Sequence, residues 1–272
     1  MPSASLRAFV LGTGSSGNSM LVEADGFRIL VDAGLGPRSL KSRLASLGVT
    51  LERGPGQLAI DAIVPTHHHG DHLGGVEKIA RKIGCPIYLH PGIDAPHLRA
   101  QKNARTYEIG QAFRVGSLEI RTEHVPHDAP QVALRIAAGA HALGIATDIG
   151  RVTPGVVALL ATCDVALVES NHCASMLAAG PYPAHLKRRV AGGSGHLSND
   201  QAAELVRELV GSRLGRVYLG HLSRVNNTPE RALETVAAAA SRIGVTVLPH
   251  GAIRALDTSL DAGGSQLALP LA

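Results

Sequence analysis

Apolar and polar residues alternate along several short runs of this chain, and each run closes on a glycine, a proline or an acid. Residues 6–11 read as a first strand, and residues 20–23 and 27–31 as a hairpin around Asp25 and Gly26. Residues 59–65 alternate in the same way, and residues 86–90 and 118–125 follow as further strands. A second hairpin joins 132–136 to 142–146, and buried strands are expected at 164–168, 216–219 and 245–248. Between these runs the apolar spacing changes to that of a helix. Residues 39–47 stop at Gly48, and Leu73, Val76, Ile79, Ala80 and Ile83 mark one face of a helix stopping at Gly84. Residues 154–161 form another, and Ser198 or Asn199 caps one running to about Val210. Thr228 with Pro229 opens the last, which runs to Ile243. Strands and hairpins interrupted by helices, twice over, suit an α+β protein in which two sheets pack face to face with helices outside. The pattern shows no linker and no short repeat, so residues 1–257 are expected as one domain and 258–272 as a loose tail.

Chemistry sits at the ends of these strands. The stretch THHHGDH, Thr66 to His72, follows the strand at 59–65. His67 and His69 are two apart and share a side of extended chain; Asp71 and His72 come next. One loop therefore offers two ligand pairs to two adjacent ions, the arrangement that clamps a displacement and brings the pKa of a water toward neutrality. The strand at 118–125 carries His124 inside it and delivers PHDA, with His127, at its end. The hairpin strand at 142–146 delivers Asp148, the strand at 164–168 delivers ESNHC, and the strand at 216–219 delivers His221. Nitrogen and oxygen ligands without thiolates suit zinc, manganese or iron.

Other motifs are weighed against this centre. Gly12, Gly14 and Gly17 fit a G-x-G-x-x-G dinucleotide loop, with Asp32 at a suitable distance. That fingerprint needs a helix directly after the glycines, and a hairpin follows instead. The glycines are read as a tight loop near the metal loop, with Ser15 and Asn18 offering polar groups to a ligand. His90 and His97 have no partner pattern and are expected to be structural or exposed. Arg99, Lys102 and Arg105 are expected on a solvated basic face. His172, His185, Lys187, Arg188 and Arg189 form a second basic group, either contacting a nucleic-acid backbone or simply facing solvent. His196 precedes a helix and is either the acid for a leaving oxygen or a packing residue. Ser223, Asn226 and Asn227 are candidate donors to a scissile phosphate.

Composition narrows the setting. Of 272 residues, 45% are apolar, 14 are histidine and none is tryptophan, and the net charge of +4 permits an anionic substrate without demanding one. Cys85, Cys163 and Cys173 form no CxxC and are expected as core residues, not disulfides. No run approaches a membrane span, and a cytoplasmic location is the simplest expectation.

His-x-His-x-Asp-His, at a strand end and before a helix, resembles the signature of the metallo-β-lactamase superfamily. That resemblance implies a four-layer αββα sandwich. It also implies that His67, His69 and His127 hold one divalent ion while Asp71, His72 and His221 hold a second, with Asp148 bridging. Asp71 is a candidate proton acceptor. Asp32, in VDAG, would support the histidine loop; a turn cap is the other reading. Across residues 8–235 the set GTGSSGNS, THHHGDH, PHDA, ESNHC, GPYP-x-HLKRR, GHLSN and GHLSRVNN resembles the YycJ-like (WalJ-like) branch, related to the β-CASP and tRNase Z nucleases. It implies exonuclease action on DNA. His68 and Gly70 stand where that pattern has Glu and Ser, and Cys173 where an acid is common. A small-molecule ester, thioester, lactone or cyclic-nucleotide hydrolase is the alternative on the same ligands. A non-catalytic nucleic-acid binder is third, and β-lactam hydrolysis is disfavoured.

Overall fold

The computed structural model describes residues 5–51 and 59–258. The first sheet begins with β1 (Arg7–Gly12), β2 (Ser19–Ala24) and β3 (Phe27–Val31), all antiparallel neighbours. It continues through β4 (Ala62–Val64), β5 (Ile87–Leu89) and β6 (Ala104–Thr106), each parallel to the last. The second sheet repeats that plan. Its β7 (Phe113–Val115), β8 (Leu118–Val125), β9 (Gln131–Ala138) and β10 (His141–Ala146) are antiparallel. Its β11 (Val165–Glu169), β12 (Arg216–Gly220) and β13 (Gly244–Val247) are parallel. A last strand, β14 (Arg254–Leu256), returns to the first sheet and pairs antiparallel with β1, so among the described residues each sheet has seven strands.

The helices are α1 (Pro37–Ser46), α2 (Gly70–Leu73), α3 (Val76–Ile83), α4 (Pro96–Arg99), α5 (Pro154–Leu160), α6 (Ala174–Ala179), α7 (Ala184–Ala191), α8 (Asn199–Glu208) and α9 (Pro229–Ala240). Period-two alternation splits each strand between two cores. Val10, Ile29 and Val31 of the first sheet meet Leu134, Ile145 and Leu167 of the second in the layer between the sheets. Leu21, Leu30 and Ile63 face outward against Leu40 and Leu44 of α1 and Ile79 and Ile83 of α3. Ala166, Val168 and Val217 face the other way, against Leu160 of α5, Leu205 of α8 and Val236 of α9. Burying a side chain of this size contributes about 1.5–3 kcal/mol, and three such layers make the four-layer αββα sandwich. No helix among the described residues is long and apolar enough to cross a membrane.

Several expectations are revised. The helix expected over 73–83 divides into α2 and α3 at Gly74 and Gly75, where a side chain on Gly75 would meet the Ala33 carbonyl at 2.5 Å. Arg99 is not part of a solvated basic face: its guanidinium donates to the carbonyls of His90 and Pro91, at 2.6 and 2.9 Å, and to that of Ile93. The short strands β6, β7 and β14 carry too little alternation to be read from sequence. Thr258, assigned to the tail, is buried and its hydroxyl donates to the Leu6 carbonyl; residues 259–272 lie outside the described residues, as do 57 and 58 before β4.

Candidate metal centre

Both sheets send their strand ends to one rim. The loop after β4 brings His67, His69, Asp71 and His72; Asp32 follows β3; His127 follows β8, Asp148 follows β10 and His221 follows β12. Asp32, Asp148 and His221 adopt left-handed backbone, with φ of 59°, 55° and 55°. Residues with a Cβ avoid that region, at a cost of order 1–3 kcal/mol each. Three of them on one rim mark a place where side-chain direction outranks backbone comfort.

The ligating atoms gather in overlapping triads. His67, His69 and His127 each offer a nitrogen within 4.8 Å of the others; an oxygen of Asp71 gathers in the same way with nitrogens of His72 and His221, and an oxygen of Asp148 with nitrogens of His67 and His72. Asp148 lies between: one carboxylate oxygen is 3.1 Å from His72 Nε2 and the other 3.4 Å from His221 Nε2. His124, the competitor of His127, is exposed on β8 and takes no part in these triads.

What lies behind each ring fixes which nitrogen faces the centre. His72 Nδ1 donates to Asp32 Oδ2 at 2.8 Å, and His127 Nδ1 to the Gly195 carbonyl at 3.2 Å. His67 Nδ1 lies 3.0 Å from the Thr66 hydroxyl, and His221 Nδ1 donates to Glu169 Oε1 at 2.7 Å. Partners of this kind set the tautomer of metal-ligating histidines. On the inner side, His67 Nε2, His221 Nε2 and Asp148 Oδ2 are buried without a hydrogen-bond partner. Leaving such atoms unmet costs about 1–3 kcal/mol apiece, and all three face one space. A nitrogen and oxygen donor set with orphaned inner atoms fits divalent metal ions.

The electrostatics follow from this packing. Burial pushes His67 down, and the neighbouring His72 adds to it. Burial also opposes a charged His72, but Asp32 and Asp148 outweigh it and raise its pKa. Asp148 is driven well below the carboxylate range by His221 and His72 despite complete burial.

Glu169 is the residue that sequence reading passed over. It ends β11, is fully buried, and one of its oxygens accepts from both His196 Nδ1 (2.8 Å) and His221 Nδ1 (2.7 Å). The other oxygen accepts from the Ile149 and Leu197 amides at 2.9 and 3.0 Å. Burial raises its pKa, but the two imidazoles and their hydrogen bonds prevail and bring it to about 2. Conversely, burial lowers His196, but Glu169 overcomes this and raises it to about 9. The signal was present: an acid inside an otherwise apolar buried strand needs a partner.

The glycine loop braces the histidine loop. The Asn18 amide donates to the Asp71 carbonyl at 2.7 Å and the Ala33 amide to that of His72 at 2.8 Å. Gly34 passes so close that a Cβ would sit 1.6 Å from the Asp71 carbonyl oxygen, which admits only glycine. The Asn18 side chain turns to Asp71 Oδ2 (3.3 Å) and His72 Nε2 (2.8 Å).

A pocket of about 490 Å³ opens beside the triads, lined by Ser15, Ser16, Tyr182, His196, Ser223 and Arg224 among others. Ser223 reaches it, although its hydroxyl also accepts from the Asn226 amide. Asn226 and Asn227 are buried, and the Asn227 amide is used on Ser170, Asn171 and Asn199. His172 is buried beside Ser198. His185 and Arg188 are exposed on α7, where Lys187 donates to the Ala178 carbonyl and Arg189 binds Asp128.

Residues 27–222 match a family described as the β-lactamase superfamily domain. The chain is 35% identical to the exodeoxyribonuclease WalJ of Streptococcus pneumoniae over 84% of its length and 85% of that protein. It is 29% identical to the exodeoxyribonuclease YycJ of Bacillus anthracis, covering 85% and 88% of the two chains. The crystal structure of the metallo-β-lactamase fold protein YhfI from Bacillus subtilis superposes with a TM-score of 0.71 at 17% identity, over 92% of this chain and 99% of that one.

Proposed function

The chain belongs to the metallo-β-lactamase superfamily, in the branch of WalJ and YycJ, and on that premise we propose that it is a metal-dependent phosphodiesterase that shortens DNA from its ends. The observation that carries the reading is Asp148 standing between two triads of inward-facing nitrogen and oxygen atoms, beside an open pocket. His67, His69 and His127 would hold one divalent ion, Asp71, His72 and His221 a second, zinc or manganese in each case, and Asp148 would touch both. Ions held there supply Lewis acidity for a phosphoryl oxygen and a water of lowered pKa.

The chain's own residues provide the rest. Asp32, Thr66, Gly195 and Glu169 keep one nitrogen of each ring turned inward. Asp71 sits at the centre with an oxygen 3.8 Å from His72 Nε2, placed to accept a proton from an attacking water. His196 lines the pocket with Nδ1 committed to Glu169, which leaves Nε2 to deliver a proton to the departing sugar oxygen. Ser15, Ser16, Ser223 and Arg224 supply hydroxyls and positive charge for a phosphate in the pocket. His185, Lys187 and Arg188 belong to α7, whose Leu186, Arg189 and Val190 line the pocket, and would take the flanking backbone. A small phosphodiester is the runner-up substrate, because about 490 Å³ also suits a ligand of nucleotide size.

The test is end-labelled duplex DNA with 5′-phosphate or 5′-hydroxyl ends, incubated with Mn²⁺ or Zn²⁺ and then with chelator. Shortening by the wild type and none by the Asp71→Ala, His72→Ala double variant is the expected result. No cleavage of DNA by wild type holding both ions overturns the nuclease reading and favours the small phosphodiester.

A further inference from the structure

Four of the histidines at the centre have a protein group behind the nitrogen that faces away: Thr66 for His67, Asp32 for His72, Gly195 for His127 and Glu169 for His221. His69 breaks the pattern. Its Nδ1 lies 3.4 Å from His127 Nε2, so Nδ1 is the atom on the inner side. Its outward Nε2 has Asp128 Oδ1 as a neighbour at 3.4 Å. The same oxygen lies 3.2 Å from His127 Nε2, but that nitrogen carries no proton when His127 Nδ1 donates to the Gly195 carbonyl, which leaves His69 Nε2 as the donor. That carboxylate belongs to no triad. It sits one residue past His127, on the loop after β8, exposed at the mouth of the pocket.

Asp128 is itself held. Its second oxygen accepts from Arg189 Nε at 2.9 Å and Nη2 at 2.6 Å. Arg189 lies on α7, a helix that buries none of its residues. A carboxylate gripped by two N–H groups on one oxygen has little freedom to turn, and the other oxygen is thereby held between His69 Nε2 and His127 Nε2. The guanidinium that the sequence leaves open to a nucleic-acid backbone or to solvent binds Asp128 within the protein.

We propose that Asp128 is the positioning residue for His69, accepting the Nε2 proton so that Nδ1 is presented to the first ion, and that Arg189 anchors Asp128 from α7. The pair completes the outer ring of hydrogen bonds and ties the exposed basic helix to the ligand set. The inference rests on the assignment of His67, His69 and His127 to one ion. In this role Asp128 acts through His69.

The test counts bound divalent ions by native mass spectrometry and ranks their affinity by chelator competition, in wild type, Asp128→Ala, Asp128→Asn and Arg189→Ala. Nitrogen NMR of the metal-free proteins reads the His69 tautomer separately from activity and from folding. Wild type should hold two ions with His69 protonated at Nε2. Asp128→Ala should lose about 10–100-fold in affinity for one ion and keep the other. Asp128→Asn, which folds with the same shape and still offers an oxygen, should keep the Nε2 tautomer and lose less; Arg189→Ala should fall between. Unchanged affinity for both ions and an unchanged tautomer in Asp128→Ala overturns the proposal. A wild type that binds no ion overturns the metal assignment itself, a result distinguishable from failure of the Asp128 role alone.

Discussion

The two sheets build the centre in opposite styles. The first contributes nearly everything from one loop: His67, His69, Asp71 and His72 fall within six consecutive residues after β4, and Asp32 braces them from the neighbouring strand. The second contributes single residues from separate strand ends, His127, Asp148, Glu169 and His221, spread over 95 positions of the chain. A clustered set is aimed by local backbone: one close passage at Gly34 and two amide hydrogen bonds hold the whole loop. A dispersed set is aimed by the sheet, because parallel pairing of β10, β11 and β12 brings their ends side by side. The lesson is that the first half depends on its loop and the second on its strand register.

The largest effect expected from breaking this arrangement is on metal binding itself. The Asp71→Ala, His72→Ala double variant should retain at most one ion and lose detectable DNA shortening, measured by ion count and by end-labelled digestion. Replacing Glu169 tests the dispersed half. Because one carboxylate holds both His196 and His221, Glu169→Gln should lower the rate of DNA hydrolysis by about 100-fold. Asp32→Asn tests the clustered half, where the carboxylate holds one histidine and the Thr66 amide; about tenfold is expected. A larger loss in Asp32→Asn than in Glu169→Gln would reverse the comparison. Chelating the ions should lower the melting temperature, since a ligand at 100 times its dissociation constant stabilises by about 2.7 kcal/mol; equal melting with and without chelator would show the left-handed residues at the rim to be unaffected by occupancy. Smallest of all, Arg188→Ala should leave the ion count alone and reduce the salt dependence of DNA binding by about one charge, read from affinities at several ionic strengths.

How much of this was legible followed the same division. The loop from His67 to His72 is a contiguous pattern, so spacing alone exposes it. His127, Asp148 and His221 are legible only as polar residues just past apolar runs, and their convergence needs a sheet order that no local window contains. Glu169 escaped because it reads as the polite end of a strand, and its two partners lie 27 and 52 residues away. Asp128 escaped for a different reason: its neighbour His127 drew the attention, and its tie to Arg189 crosses 61 residues. Helix positions came through wherever a cap residue marked them, as Thr228 does for α9 through its bond from the Arg231 amide. Short strands such as β6 and β14 did not, since three residues cannot establish a period.

The shared carboxylate at position 169 also constrains how such a protein can change over generations. With Glu169 oxygens divided among two imidazoles and two backbone amides, no partner can be replaced without leaving a buried charge out of balance for the others. Drift at 169, 196 and 221 is therefore expected to be concerted: viable lineages should exchange these three positions together or leave them all alone.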